Sequence, residues 1–153
     1  MTHTLDTSIL IGLVQRYPRE VFKSLWDSVE AAARSGQVCI CQEVLPELRR
    51  GGDYLEAWAK GIAGFVCQAT DNELATAAAI SQAHPGWVSE QKNAADPFII
   101  AHAEETGRVI VTDERRAGPG TADRNQKIPN VADERGVRCV TFLGFMRSQG
   151  WRF

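Results

Sequence analysis

The strongest constraint in this sequence is a series of apolar runs too short for helices, separated by stretches whose apolar residues recur at helical spacing. A brief start ends at Thr4-Leu5, residues 37–41 carry Val38-Cys39-Ile40-Cys41, residues 108–112 carry Val109-Ile110-Val111, and residues 137–141 form the last run. Short continuous apolar runs suit strands covered on both faces. Strands that succeed one another only through helices cannot close as hairpins, so they cross over and lie parallel. The chain therefore reads as α/β, with a central, mainly parallel sheet layered between helices.

The intervening helices have their own signals. Ile9, Leu10, Leu13 and Val14 make a helical stripe over residues 7–14. Pro18 opens a helix that carries Val21, Phe22, Leu25, Trp26 and Val29 and stops at Gly36. Residues 43–50 read as a helix ended by Gly51-Gly52, with Pro46 in the first turn, where proline is tolerated. Asp53 caps a helix bearing Leu55, Trp58 and Ile62, and Asp71 or Asn72 starts another that reaches Pro85. Asp96-Pro97 pairs an acidic cap with proline at the first helical position of a helix that ends at Gly107. Residues 118–130 read as a long loop, 131–135 as a helical turn and 142–149 as a last helix.

At 153 residues, 44% hydrophobic and 24% charged, the chain is expected to form a single domain spanning 1–153, long enough to bury one core. No apolar run approaches the roughly 20 residues of a membrane helix, and the start lacks a secretory pattern, so a cytoplasmic, membrane-free protein is expected. Cys39 and Cys41 sit in an apolar segment, while Cys67 and Cys139 stand apart without zinc-type spacing. They read as reduced core thiols, and no metal is expected to be needed merely to fold.

Acidic residues follow the strands. Asp6 follows the first run, Glu43 the second, Asp113-Glu114 the run at 109–112, and Asp96 begins a helix after Ala94-Ala95. In an open parallel sheet the carboxyl ends of the strands share one edge, where sites form. Acids far apart in sequence would meet there. Clustered carboxylates repel, so such a cluster usually holds a hard divalent cation, and Mg²⁺ or Mn²⁺ suits oxygen donors. Metals held this way activate water and stabilise displacement at phosphorus. Charge asymmetry fits a polyanion: residues 1–107 carry 8 Lys and Arg against 14 Asp and Glu, residues 108–153 carry 9 against 5. Arg115, Arg116, Arg124 and Lys127 in the long loop read as a phosphate-contacting rim.

Each acid alone has a simpler explanation. Asp96 and Asp6 could cap helices, Glu43 with Glu47 could form a solvated helix face, and Asp113 and Glu114 could be loop charges. Their joint placement shifts the balance. Only one of Asp113 and Glu114 can point into the cleft if the strand persists, because neighbouring side chains alternate. His102 reads as a hydrogen-bonded structural histidine, Trp26 and Trp58 as core. A receiver-type signalling domain fits poorly, lacking the paired acid after the first strand and the lysine after a late one.

At Leu5-Asp6-Thr7-Ser8, Glu43-Val44 through Glu47-Leu48, Ala95-Asp96-Pro97-Phe98-Ile99-Ile100-Ala101-His102-Ala103 and Val109-Ile110-Val111-Thr112-Asp113-Glu114, the chain resembles the PIN-domain ribonucleases, which include VapC-type toxins of toxin-antitoxin pairs. It looks closest to a PIN-like subgroup catalogued as a domain of unknown function, with Phe22, Trp26 and a Lys127-Ile128-Pro129 turn. The resemblance implies a three-layer α/β/α PIN-like fold and a Mg²⁺- or Mn²⁺-dependent endoribonuclease leaving a 5′-phosphate and a 3′-hydroxyl. It implies Asp6, Glu43 and Asp96 as catalytic metal ligands and Glu114 as the fourth acid, with Asp113 as its substitute. Ser8 and Thr112 would orient the acids. RNA is the implied substrate and an antitoxin protein an implied partner. A homodimer is expected from the apolar surplus at Ile9, Leu13, Phe22, Leu25 and Trp26. The alternative is a PIN-like binding or scaffold protein that no longer cleaves.

Overall fold

A computed structural model describes residues 2–89 and 92–153. Five parallel strands, β1 (His3–Leu5), β2 (Val38–Cys41), β3 (Val66–Cys67), β4 (Val109–Val111) and β5 (Cys139–Val140), form one sheet in the order β3-β2-β1-β4-β5. Helices flank the sheet in the three-layer α/β/α arrangement of a PIN-like fold. The three central strands are buried at every described position, which explains why their sequences show no polar alternation.

The chain builds outward from β1 to β2 and β3, then crosses back to β4 and β5 on the other side of β1. That reversal leaves a crevice beyond the carboxyl ends of β1 and β4. Helix α6 (Asp96–Thr106) packs against β1, β2 and β4, and α5 (Asp71–Ala83) packs on α6. Gly107 closes α6 with φ of 70°, a left-handed conformation that glycine adopts at no steric cost. Helices α1 (Thr7–Arg16), α4 (Asp53–Lys60) and α8 (Phe142–Ser148) lie within the stretches the periodicity marked, although Gly52 rather than Asp53 is the cap of α4 and Ile62 falls beyond its end. Among the described residues no helix is long and apolar enough to cross a membrane.

Four elements differ from expectation. Helix α2 starts at Lys23 and ends at Arg34, because the Val21 and Phe22 amides both turn back to the Pro18 carbonyl and the Trp26 indole donates to the Tyr17 carbonyl at 2.7 Å. The segment 43–50 is a 3₁₀ turn (Gln42–Val44), a four-residue α3 (Leu45–Leu48) and a second 3₁₀ turn (Arg49–Gly51). The two-residue strand β3 was unexpected, being too short to show any pattern. Helix α7 (Ile128–Glu134) begins inside the expected loop.

Among the described residues the apolar surplus expected for a dimer or antitoxin groove is absent. Ile9, Leu13, Leu25 and Trp26 are buried within the chain, and of that stripe only Phe22 stays exposed. Trp26 lies at 0% exposure, with Trp58 edge-on 5.5 Å away and half-buried. Truncating it removes a large buried ring and leaves a cavity beside Trp58. Trp26→Ala is expected to cost about 3–5 kcal/mol, read as a lower urea midpoint at unchanged slope.

Candidate active site

The crevice beyond β1 and β4 opens into a cleft of about 800 Å³ lined by Asp6, Glu43, Glu47, Asp96 and Glu114. Asp6 stands between β1 and α1 but makes no side-chain cap bond. Its Oδ2 instead accepts the hydroxyls of Ser8 at 2.7 Å and Thr112 at 2.8 Å. Asp96 is the first residue of α6, one position inside the expected cap, and the helix end takes no side-chain cap bond. Ala95 occupies the cap position, so the Asp96 carboxylate is left to the cleft.

β4 ends at Val111, short of the strand on which the alternation argument depended, yet Glu114 and Asp113 still turn to different partners. The Glu114 amide donates to the Thr112 hydroxyl at 3.2 Å, and its Oε2 accepts the Ile128 amide at 2.8 Å, holding the carboxylate at the cleft. Asp113 is exposed and its Oδ1 accepts the Phe142 amide at 2.9 Å, satisfying a free donor at the start of α8. Thr112 thus links two strand ends through one hydroxyl.

Glu47 was read from sequence only as a neighbour of Glu43 on a solvated face. Its side chain is 17% exposed, and Oε2 accepts the Thr7 hydroxyl at 2.7 Å while Oε1 accepts the Ala95 amide at 3.2 Å. It therefore bridges the starts of α1 and α6. The spacing of four that joins Glu43 to Glu47 was the available signal, but it could not choose between them. Glu43 lines the same cleft, with its Oε2 buried and lacking a hydrogen-bond partner among the described residues.

The acids perturb one another. Burial, followed by the Glu114 and Glu47 carboxylates, raises Asp6 from 3.8 to about 6 against the pull of the Ser8 and Thr112 hydroxyls. Burial, then Asp6, Glu114 and Glu47, raises Asp96 to about 8, with Lys127 pulling the other way. Such a set of oxygen donors suits a hard divalent cation, and Glu43's orphaned oxygen adds a further donor.

The basic rim differs from the one expected. Arg16, Arg50 and Lys92 line the cleft. Arg116 is instead held by Asp133 in a two-pronged pair at 2.7 and 2.9 Å. The Lys92 ammonium donates to the Arg124 carbonyl, tying the long loop to the cleft wall.

Residues 3–153 match a family described as a domain of unknown function (DUF4411). The chain belongs to that family. The DUF4411 match carries no activity. Among solved structures, that of FitAcB from Neisseria gonorrhoeae is similar in fold, with a TM-score of 0.50 and 19% identity over 90% of this chain and 96% of that one. That likeness is one of fold. No curated protein matches the chain.

Proton linkage gives a direct test of the cluster. With Asp96 and Asp6 raised, the folded state holds protons that the unfolded chain releases above about pH 4, so stability falls as pH rises towards 8. The slope reaches up to about 1.4 kcal/mol per pH unit for each carboxyl. In chelator, Asp96→Asn should flatten that fall and be more stable than wild type at pH 8, measured by urea unfolding across pH. An unchanged slope would remove Asp96 from the cluster.

Proposed function

We propose that this chain is a Mg²⁺- or Mn²⁺-dependent endoribonuclease and the toxin of a toxin-antitoxin pair. The observation that carries the reading is the meeting of Asp6, Glu47, Asp96 and Glu114, from four separate stretches, at the crevice where the strand order reverses. Their mutual repulsion is what a divalent cation relieves, and the chemistry of the donors matches it. Asp6, Asp96, Glu114 and Glu47 would hold the metal, with Glu43 as the adjoining acid. When bound, the metal supplies an activated water and charge stabilisation for phosphodiester hydrolysis.

The chain's own groups set up that chemistry. Ser8 and Thr112 fix the Asp6 carboxylate, and the Ile128 amide fixes Glu114, so the acids cannot swing apart when crowded. Arg16, Arg50 and Lys92 give the rim a positive charge that attracts RNA phosphates to an otherwise acidic cleft. Products would carry a 5′-phosphate and a 3′-hydroxyl. An antitoxin protein is the partner this reading implies.

On single-stranded RNA with Mn²⁺, Asp6→Asn and Asp96→Asn should each lose at least about 100-fold in cleavage while keeping the wild-type circular dichroism spectrum. Glu114→Gln should lose more cleavage and Mn²⁺ affinity than Asp113→Asn, and Glu47→Gln more than Glu43→Gln. Full activity of a folded Asp96→Asn variant, or in excess chelator, would sink the assignment. Because Asp96 holds a proton up to about pH 8, Mn²⁺ must displace it, so affinity should rise with pH from 6 to 8. Isothermal titration across that range checks the sign.

A further inference from the structure

On the other side of β2 lies a group that the acid cleft does not use. We propose that Cys39, Cys67 and His102 form a second metal site, for a borderline-soft cation such as Zn²⁺, which ties β2 and the edge strand β3 to α6. One ligand atom from each of the three lies within 4.8 Å of the others. The Cys39 sulfur is 3.2 Å from His102 Nε2. Around a tetrahedral zinc, ligand atoms sit about 3.5–3.8 Å apart, so closure needs side-chain shifts of about an ångström and no backbone rearrangement.

The imidazole is oriented as a ligand. Its Nδ1 lies 2.5 Å from Glu73 Oε1, and the other Glu73 oxygen accepts the Thr70 amide at 2.6 Å in the capping box of α5. Glu73 is 2% exposed and held by that cap, so it fixes the tautomer with the proton on Nδ1 and leaves the Nε2 lone pair towards the sulfurs. A carboxylate behind a histidine whose other nitrogen meets the metal is the usual outer support of such ligands. A histidine serving only the core would need one partner for Nε2, whereas here two thiols converge on it.

The register explains how residues so far apart in sequence meet. Cys41 pairs with Cys67 across β2 and β3, and Cys39, two residues earlier, points to the same face, the one covered by α6. Binding would release both thiol protons, and the two thiolates would balance the charge of the cation. Cys41 lines the small cleft beside Cys67 and His102 and can supply the fourth donor. The site is independent of the nuclease reading, since Mg²⁺ and Mn²⁺ favour oxygen and the thiol site favours sulfur and imidazole.

The test uses the reduced, chelator-stripped full chain, titrated with Co²⁺ as a spectroscopic stand-in for zinc. Thiolate-to-cobalt charge-transfer absorption should saturate at about one equivalent per chain and be displaced by Zn²⁺. Zn²⁺ should also raise Tm in the presence of excess Mg²⁺. Cys67→Ser, at a half-buried position that tolerates a hydroxyl, should abolish both signals, and Glu73→Gln should weaken Co²⁺ binding by about 10–100-fold. Asp6→Asn with Asp96→Asn should leave the cobalt band intact. No charge-transfer band, or a band unchanged in Cys67→Ser, would overturn the proposal.

Discussion

Mutual repulsion among buried carboxylates is the constraint around which this molecule is arranged. Left alone, Asp6 and Asp96 would move apart or into solvent. The sheet prevents it, because Asp6 leaves β1 and Glu114 follows β4, and those two strands are neighbours in register from His3↔Val109 to Leu5↔Val111. The hydroxyls and amides around the acids then hold each carboxylate where bulk water would otherwise have drawn it. The cost appears as raised acid pKa values, and it is concentrated at the one edge where a cation can offset it.

Much of this was legible in the sequence, for physical reasons. Buried parallel strands need continuous apolar runs, so Val38–Cys41 and Val109–Val111 could be read directly. The Asp96-Pro97 start and Gly107 stop of α6 were equally plain, differing by one residue at the cap. Asp6, Asp96 and Glu114 could be placed at the cleft because each follows a strand or opens a helix. Glu47 was not, because its role depends on Thr7 and Ala95, partners that local spacing cannot show. The edge strand β3 and the late start of α2 escaped for the same reason: both are set by tertiary contacts, the first by pairing with β2 and the second by the Trp26 indole.

The four cysteines are free, as their spacing suggested, but spacing could not show that Cys39 and Cys67 meet His102. Metal motifs are recognised in sequence when ligands sit on one turn or hairpin, but here the sheet register and a helix crossing bring them together. Helix α6 carries an acid of the open cleft at its first residue and the histidine of the thiol cluster further along, on its buried face. A single rigid element therefore places an acid at the open cleft and a histidine at the thiol cluster.

The bond from Thr112 to Asp6 joins residues 106 positions apart, and Glu114 is fixed only by an amide 14 residues later still. During synthesis, the amino-terminal acid leaves the ribosome long before its partners exist. A chain stopped short of Ile128 can carry every one of these acids and still lack the amide that holds Glu114. The arrangement is therefore completed late in synthesis, by backbone that contributes no acid to it.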